Sequence, residues 1–137
     1  MSENIYKSPD SELQSDGQAT VPMTIKDILF SFQGRIGRGK FWAVYLATIV
    51  VTYTLMFAVG LLLPDPAIFG ALTFILMVPM IWISLAIQVK RWHDRNKSGW
   101  WVCIAFVPII GAFWALIENG FLAGDEGINN FGAPAAK

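Results

Sequence analysis

Two adjacent residues, His93 and Asp94, are the pair in this chain whose types best suit acid/base chemistry. An imidazole titrates near neutral pH, and a neighbouring carboxylate can orient it for proton transfer. No nucleophile or second ligand accompanies the pair, so we favour a hydrogen-bonded structural histidine and keep catalysis as the alternative. With one histidine and one cysteine, Cys103, in 137 residues, we predict no metal and no other cofactor.

A glycine-rich stretch from Gly34 to Lys40 matches GxxxxGK, the start of a phosphate-binding loop. Such a loop needs Ser or Thr at the next position to hold magnesium, and it needs a soluble helix to follow. Here the next residue is Phe41, and a long apolar run follows it. We therefore expect no nucleotide site, and we assign the glycines to a sharp backbone turn into a membrane segment.

Two basic clusters adjoin the apolar runs, and they attract anionic headgroups by about 1 kcal/mol per residue if they lie at the membrane surface. The simpler alternative is that they only fix topology, and the two roles are compatible. Because the net charge is +0, we expect no nucleic-acid partner. The predicted site for headgroups or a partner protein comprises Arg35, Arg38, Lys40, Lys90, Arg91, Arg95 and Lys97.

The elements that position these residues are set by composition, because 55% of the chain is hydrophobic, 15% is charged and the mean hydropathy is +0.51. Three uncharged runs cover residues 41–63, 67–89 and 100–117. At 1.5 Å per residue the first two can cross a hydrocarbon core of roughly 30 Å, and the third is just long enough. Pro79 predicts a kink in the second run. The predicted fold is an all-α multipass membrane helical bundle with three spans.

The third run is interrupted by Pro108 and Gly111 and ends at Glu118. We predict a full crossing, because a kinked helix satisfies its backbone more readily than a loop in lipid does. A re-entrant hairpin is the alternative. It would bring Glu118 and the tail to the basic side and favour a shared site of Arg35, Arg91, Asp94 and Glu118.

The part of the chain before the first span divides in two. Residues 1–23 are polar and predict a disordered tail. From Thr24, apolar residues at helical spacing and Asp27 at the capping-box position predict a short amphipathic helix, placed at the membrane interface or in the core. Eight of the ten Lys and Arg residues lie on one side of the predicted spans, which places the N-terminus in the cytoplasm. An aromatic belt is expected on the same side, from Trp42, Trp92, Trp100 and Trp101.

Three short motifs occur at residues 32–42, 90–101 and 124–132. The first holds Phe32, Gly34, Arg35, Arg38, Phe41 and Trp42, the second Lys90, Arg91, Trp92, His93, Asp94, Ser98, Gly99, Trp100 and Trp101, and the third Gly124, Gly127, Asn129, Phe131 and Gly132. In this order and spacing they resemble the domain of unknown function 805 (DUF805, YhaH-like) family of small bacterial inner-membrane proteins. The resemblance covers residues 30–135, and residues 24–135 are accordingly predicted as one membrane domain. It departs from the family pattern at Lys90 and Trp92 and in the tail at residues 133–135. The resemblance implies an inner-membrane location and brings no activity with it. The motif residues to which we assign a structural role are Gly34, Trp42, His93, Asp94, Trp100, Trp101, Asn129, Phe131 and Gly132.

Together these patterns predict a small, nonenzymatic, multipass protein of the bacterial inner membrane. Its cytoplasmic basic and aromatic face would contact membrane lipids or a membrane protein partner. One alternative is a small transporter or pore. Three spans are too few to enclose a substrate site, so this alternative requires the chain to form an oligomer. Ala43 and Ala47 offer a small-residue contact for such a homo-oligomer. The other alternative is a membrane enzyme using His93 and Asp94.

Overall fold

The computed structural model describes residues 22–136, which form four α-helices, a 3₁₀ helix and a π-helical turn. Within that range the β-structure is a single isolated bridge between Asn129 and Gly132. The predicted tail, residues 1–23, lies outside the described residues except for Pro22 and Met23, and Met23 packs against the core. In chain order the helical segments are α1 (Ile25–Phe30), α2 (Arg38–Leu62), α3 (Pro66–Asp94), the 3₁₀ helix (Gly99–Phe106), α4 (Ile110–Leu116) and the π-helical turn (Ile117–Phe121).

Helix α1 begins where the capping box predicts it. The Thr24 hydroxyl oxygen accepts a hydrogen bond from the Asp27 amide at 3.2 Å, which satisfies one of the free donors of the first turn. The helix has six residues and buries Ile28. Its place at a membrane interface stays a prediction, because the contacts that hold it are to the end of α3.

Helices α2 and α3 contain the first two predicted spans, and both are long and apolar enough to cross a membrane. They are joined by a short turn in which Asp65 caps α3 by accepting from the amides of Ala67 and Ile68. Pro66 occupies the first turn, where its missing N–H costs nothing. Helix α3 continues through Pro79 to Asp94. It therefore extends past the predicted end at residue 89 and carries His93 in its last turn instead of in a loop.

The predicted third span, residues 100–117, does not form a continuous helix. The segment divides into the 3₁₀ helix and α4, with a turn between them at Val107–Ile109. Arg95 lies before this segment and Glu118 after it, yet their side chains are 2.6 Å apart. Both ends therefore lie at the same end of α2 and α3, and the predicted full crossing is wrong. The chain reverses because Ile109 adopts a φ of 62° and Gly111 lets the two arms approach closely.

The core sits at one end of the α2–α3 pair. Ile36, Phe41, Ile83 and Ile87 form its buried apolar cluster. We use the term cap for residues 24–40, 90–98 and 118–135, which lie at this end of the molecule next to that cluster. Beyond the cap, the two long helices expose large apolar side chains along most of their length, as lipid-facing helices do.

Candidate functional site

The centre of the cap is a buried ion-pair group formed by Arg35, Arg91 and Asp94, which we call the polar cluster. Arg35 Nε donates to Asp94 Oδ1 at 3.1 Å, and Arg91 Nη1 donates to Asp94 Oδ2 at 2.5 Å. The three residues are between 0% and 4% exposed. Arg91 and Asp94 meet because they lie three residues apart in the last turn of α3, while Arg35 enters from the loop after α1.

The remaining guanidinium donors of the polar cluster bind backbone carbonyls of the C-terminal tail. Charged donors left without partners inside a protein are costly, and these carbonyls supply the partners. Arg35 donates to the carbonyl oxygens of Asp125 at 2.5 Å, Gly127 at 2.7 Å and Gly132 at 3.1 Å. Arg91 donates to those of Asn119 at 2.6 Å and Leu122. The two arginines therefore fold the tail over the end of α3.

His93 has a structural environment on the other side of the same turn. Its ring stacks on Phe131 with 3.9 Å between centroids and 5° between planes. Its Nδ1 lies 3.2 Å from the Gly34 carbonyl oxygen, and its own carbonyl accepts from Asn129 Nδ2 at 2.8 Å. Asp94 is engaged with the two arginines, so it does not orient the imidazole as the acid/base hypothesis requires.

A second ion-pair group, which we call the clasp, closes the segment that follows α3. Glu118 accepts from Arg95 Nε at 2.6 Å and from Lys97 Nζ at 2.7 Å. Burial alone would raise the pKa of the Glu118 carboxyl, but the hydrogen bond from Lys97 and the charges of Arg95 and Lys97 outweigh it and hold that pKa below its ordinary value. Glu118 is thus an ion-pair partner in the cap, in agreement with the re-entrant alternative.

Two further residues of the basic motif are fully buried. Lys90 Nζ donates to the Ile28 carbonyl at 2.7 Å and ties α1 to α3. Trp92 is 0% exposed and lies beneath Trp101, with 5.9 Å between ring centroids. The prediction that Trp92 belongs to an aromatic belt at the membrane surface is therefore wrong.

The other predicted belt residues lie nearer the surface. Trp42 is half-buried and donates from Nε1 to the Gly120 carbonyl at 3.0 Å. Trp100 and Trp101 open the 3₁₀ helix and are exposed. Lys97 Nζ lies 4.9 Å from the centroid of the Trp101 ring, within range of a cation–π contact.

The seven predicted headgroup-binding residues thus separate into buried and accessible groups. Arg35, Lys90 and Arg91 are buried, and their donors bind protein groups. Arg95 and Lys97 are half-buried and belong to the clasp. Arg38 is exposed with one donor on the Phe121 carbonyl, and Lys40 is partly exposed in the same helical turn.

The three motifs that carry the family resemblance lie in the cap and directly beside it, and a comparison of the whole chain decides its family. Residues 29–133 match the family described as "Protein of unknown function (DUF805)". The chain belongs to the DUF805 family. Among its relatives in Escherichia coli strain K12, it is 35% identical over 102 residues to "Uncharacterized protein YiiR" and 32% identical over 108 residues to "Inner membrane protein YhaH".

The extent of these matches differs between the two relatives. The alignment with YiiR covers 71% of this chain and 65% of YiiR, so the chain spans slightly less than two thirds of that protein's length. The alignment with YhaH covers 74% of this chain and 84% of YhaH. No solved structure matches the chain. The names of YhaH and of "Inner membrane protein YhaI" agree with the two apolar helices found here.

The sequence analysis of this DUF805 chain did not identify the hydrogen-bond acceptors of the polar cluster. The groups that bind the arginines are backbone carbonyls, which cannot be recognised from residue types. Asn119 also escaped notice, although it is 1% exposed and its carbonyl accepts from Arg91. The available signal was the run of glycines in the tail, because the backbone at Gly124 contacts the Asp94 carboxylate where a Cβ would overlap it.

Metal binding finds no support in the part of the chain that the structure describes. No three His, Cys, Asp or Glu side chains gather there in an arrangement able to hold an ion. The expectation of no metal and no cofactor stays a prediction.

Proposed function

We propose that this chain is a two-span, nonenzymatic inner-membrane protein whose cap lies in the cytoplasm and binds anionic lipid headgroups. The proposal rests on the unequal distribution of charged residues between the two ends of the long helices. All eight Lys and Arg residues among residues 22–136 lie in the cap, whereas the opposite end of the helix pair holds one charged residue, Asp65. Lys and Arg near span ends are retained on the cytoplasmic side, so α2 would begin and α3 would end on the cytoplasmic side, together with the cap.

The headgroup surface in this proposal keeps two of the seven predicted residues, Arg38 and Lys40, and adds Lys26. We assign it to Lys26, Arg38 and Lys40, which we call the cationic rim. Lys26 and Arg38 are exposed and Lys40 is partly exposed, and no carboxylate among residues 22–136 forms an ion pair with any of them. Arg38 and Lys40 lie in the first turn of α2, where a span meets the membrane surface. A phosphate there gains about 1 kcal/mol for each cation.

The alternatives predicted from the sequence receive less support. An enzyme built on His93 and Asp94 needs the carboxylate that Arg35 and Arg91 occupy. An oligomeric transporter or pore would have to assemble its path from copies of a two-helix unit whose exposed side chains are apolar. No contact within the described residues favours either activity. A protein partner that binds the rim would compete with lipid for the same cations.

The headgroup proposal is tested by reconstituting the full chain in bilayers with spin-labelled anionic and zwitterionic lipids. We expect the wild type to prefer the anionic lipid, with a preference that falls as salt rises. Arg38→Gln with Lys40→Gln should lower the relative association constant by about fivefold per charge at low salt. The matched control is the exchange Arg38→Lys with Lys40→Arg, which keeps both charges and should keep the preference.

An unchanged preference in the Gln variant, with correct insertion verified, would show that the rim does not bind headgroups. A protein that co-purifies through the rim from native membranes and displaces the anionic lipid would favour the partner alternative.

A further inference from the structure

The segment from the 3₁₀ helix to α4 presents an apolar surface that no part of residues 22–136 covers. Trp100, Phe106, Ile109 and Ile110 are 82%, 85%, 76% and 70% exposed, and residues 100–117 contain no charge. We propose that residues 99–117 form a lipid wedge, a re-entrant hairpin that inserts among the acyl chains of the cytoplasmic leaflet only. This inference rests on the cytoplasmic placement of the cap proposed above.

The ends of the hairpin are fixed at the level of the cap. The clasp joins the residues before the hairpin to the residue after it, through Arg95 and Lys97 on one side and Glu118 on the other. Arg91 adds a second tie through the Asn119 carbonyl at 2.6 Å. These ties involve charged groups that belong near water, and the 3₁₀ helix that follows them packs on α3, so the proposal places the apolar residues between the ties on the membrane side.

The reach of the hairpin matches one leaflet. The 3₁₀ helix has eight residues, which at ~2.0 Å per residue extend ~16 Å. This is near half of the roughly 30 Å hydrocarbon core. Helix α4 and the π-helical turn return over a similar depth, with seven and five residues. The tip at residues 107–109 would therefore lie close to the bilayer midplane.

The backbone of the tip is suited to an apolar medium. Of the four amide donors from Val107 to Gly111, three bind carbonyls within the hairpin, at Ile104, Pro108 and Val107. Pro108 contributes no donor. A Cβ at Gly111 would overlap the Ile104 carbonyl, so glycine allows the arms to pack backbone to backbone. Irregular backbone at membrane depth requires such internal partners.

Lipid acyl chains would surround the wedge, because it is continuous with the apolar surface of α3. The 3₁₀ helix packs along α3, and α3 itself exposes Phe74, Ile75, Val78 and Ile81 toward the same surroundings. A second copy of the chain is the other candidate cover.

The experiment uses the full chain in lipid bilayers on a Cys103→Ser background. Spin labels at Trp100→Cys and Phe121→Cys, both exposed positions, report the distance between the ends of the hairpin by pulsed electron paramagnetic resonance. Twenty-one residues of continuous α-helix would separate them by ~31 Å, and the wedge predicts a clearly shorter distance. A single label at Ile109→Cys should collide readily with oxygen and hardly at all with a water-soluble nickel chelate.

A tip label that collides freely with the nickel chelate would place residues 107–109 in water and overturn the wedge. A distance near that of a continuous helix would overturn the hairpin. A short distance with a tip label shielded from oxygen and nickel alike would replace lipid by a second copy of the chain. Gly111→Ala should lengthen the distance, whereas Gly70→Ala, which places a Cβ in open space, should leave it unchanged. If the wedge is found while the rim variants retain their lipid preference, the headgroup proposal fails and the wedge stands.

Discussion

Asp94 is the residue on which the cap depends, since it brings one negative charge to two buried positive ones. Burying ions costs several kcal/mol each, and an ion pair offsets this only when the remaining donors are also satisfied. The tail carbonyls satisfy them here. The same bonds that hold the tail in place therefore make the burial of Arg35 and Arg91 tolerable.

Gly124 gives a test of this arrangement at a single atom, because a Cβ there would overlap the Asp94 carboxylate. We expect Gly124→Ala to destabilise the cap by about 1–3 kcal/mol, the usual cost of overpacking. The measurement is thermal unfolding in detergent together with proteolysis of the tail.

The matched control for this substitution is Gly127→Ala. A Cβ at Gly127 meets nothing within 4 Å, so that variant should unfold and be cleaved like the wild type. Equal behaviour of the two alanine variants would contradict the packing of the tail on Asp94.

Among the elements, the hairpin is held in position by an ion pair with a titratable carboxyl, that of Glu118. The pKa of Glu118 is lowered from its ordinary value of 4.5 in the folded chain. A carboxyl with a depressed folded-state pKa stabilises the fold fully above its unfolded-state value, and that stabilisation is lost as pH falls through the folded-state pKa. Acid should therefore loosen the clasp, and neutral pH should keep it closed.

We expect the distribution of distances between labels at positions 100 and 121 to lengthen or broaden as pH falls below 4.5, the ordinary pKa from which that of Glu118 is lowered. Glu118→Gln should remove most of this pH response and loosen the hairpin at neutral pH. The control is Glu126→Gln, an exposed carboxylate outside the clasp, which should respond like the wild type. An identical acid response in the Glu118 variant would show that other groups hold the hairpin.

At the scale of the whole molecule, the chain resembles a membrane hairpin with one folded end. Two long helices supply the apolar surface, and the cap gathers the described residues' cations and all but one of their carboxylates. This asymmetry predicts one orientation, because moving eight cations across the membrane is far less favourable than moving Asp65.

Sidedness can be measured with single cysteines on the Cys103→Ser background. With the cap in the cytoplasm, a cysteine at Ala135 should react with an impermeant thiol reagent only after the inner membrane is permeabilised. A cysteine at Leu63, in the turn between the long helices, should react without permeabilisation. The reverse pattern would mean that the cap faces outward, and external labelling of both sites would indicate a third crossing.

The sequence by itself determined the local features of this protein. Uncharged runs of sufficient length predicted α2 and α3, since a helix crossing lipid needs only apolar side chains and internal backbone bonds. Thr24 marked a helix start because a cap acts within three residues. The motif residues were also recognised as belonging together.

Only the tertiary structure decided which charged residues reach the surface and where the third segment goes. Arg35 and Arg38 are alike in the sequence, yet one is buried on Asp94 and the other is exposed. The hydrogen bonds that bury Arg35 join it to residues 59 to 97 positions away. Many of the acceptors are backbone carbonyls, which the residue type does not reveal. Residues 100–117 are long enough for a span. The pairing of Arg95 with Glu118, 23 positions later, nevertheless brings the end of this segment back to the cap. A hydropathy scale adds the free energy of transfer from water for each residue separately. The Arg95–Glu118 ion pair depends instead on a distance between two residues, which only the folded chain determines.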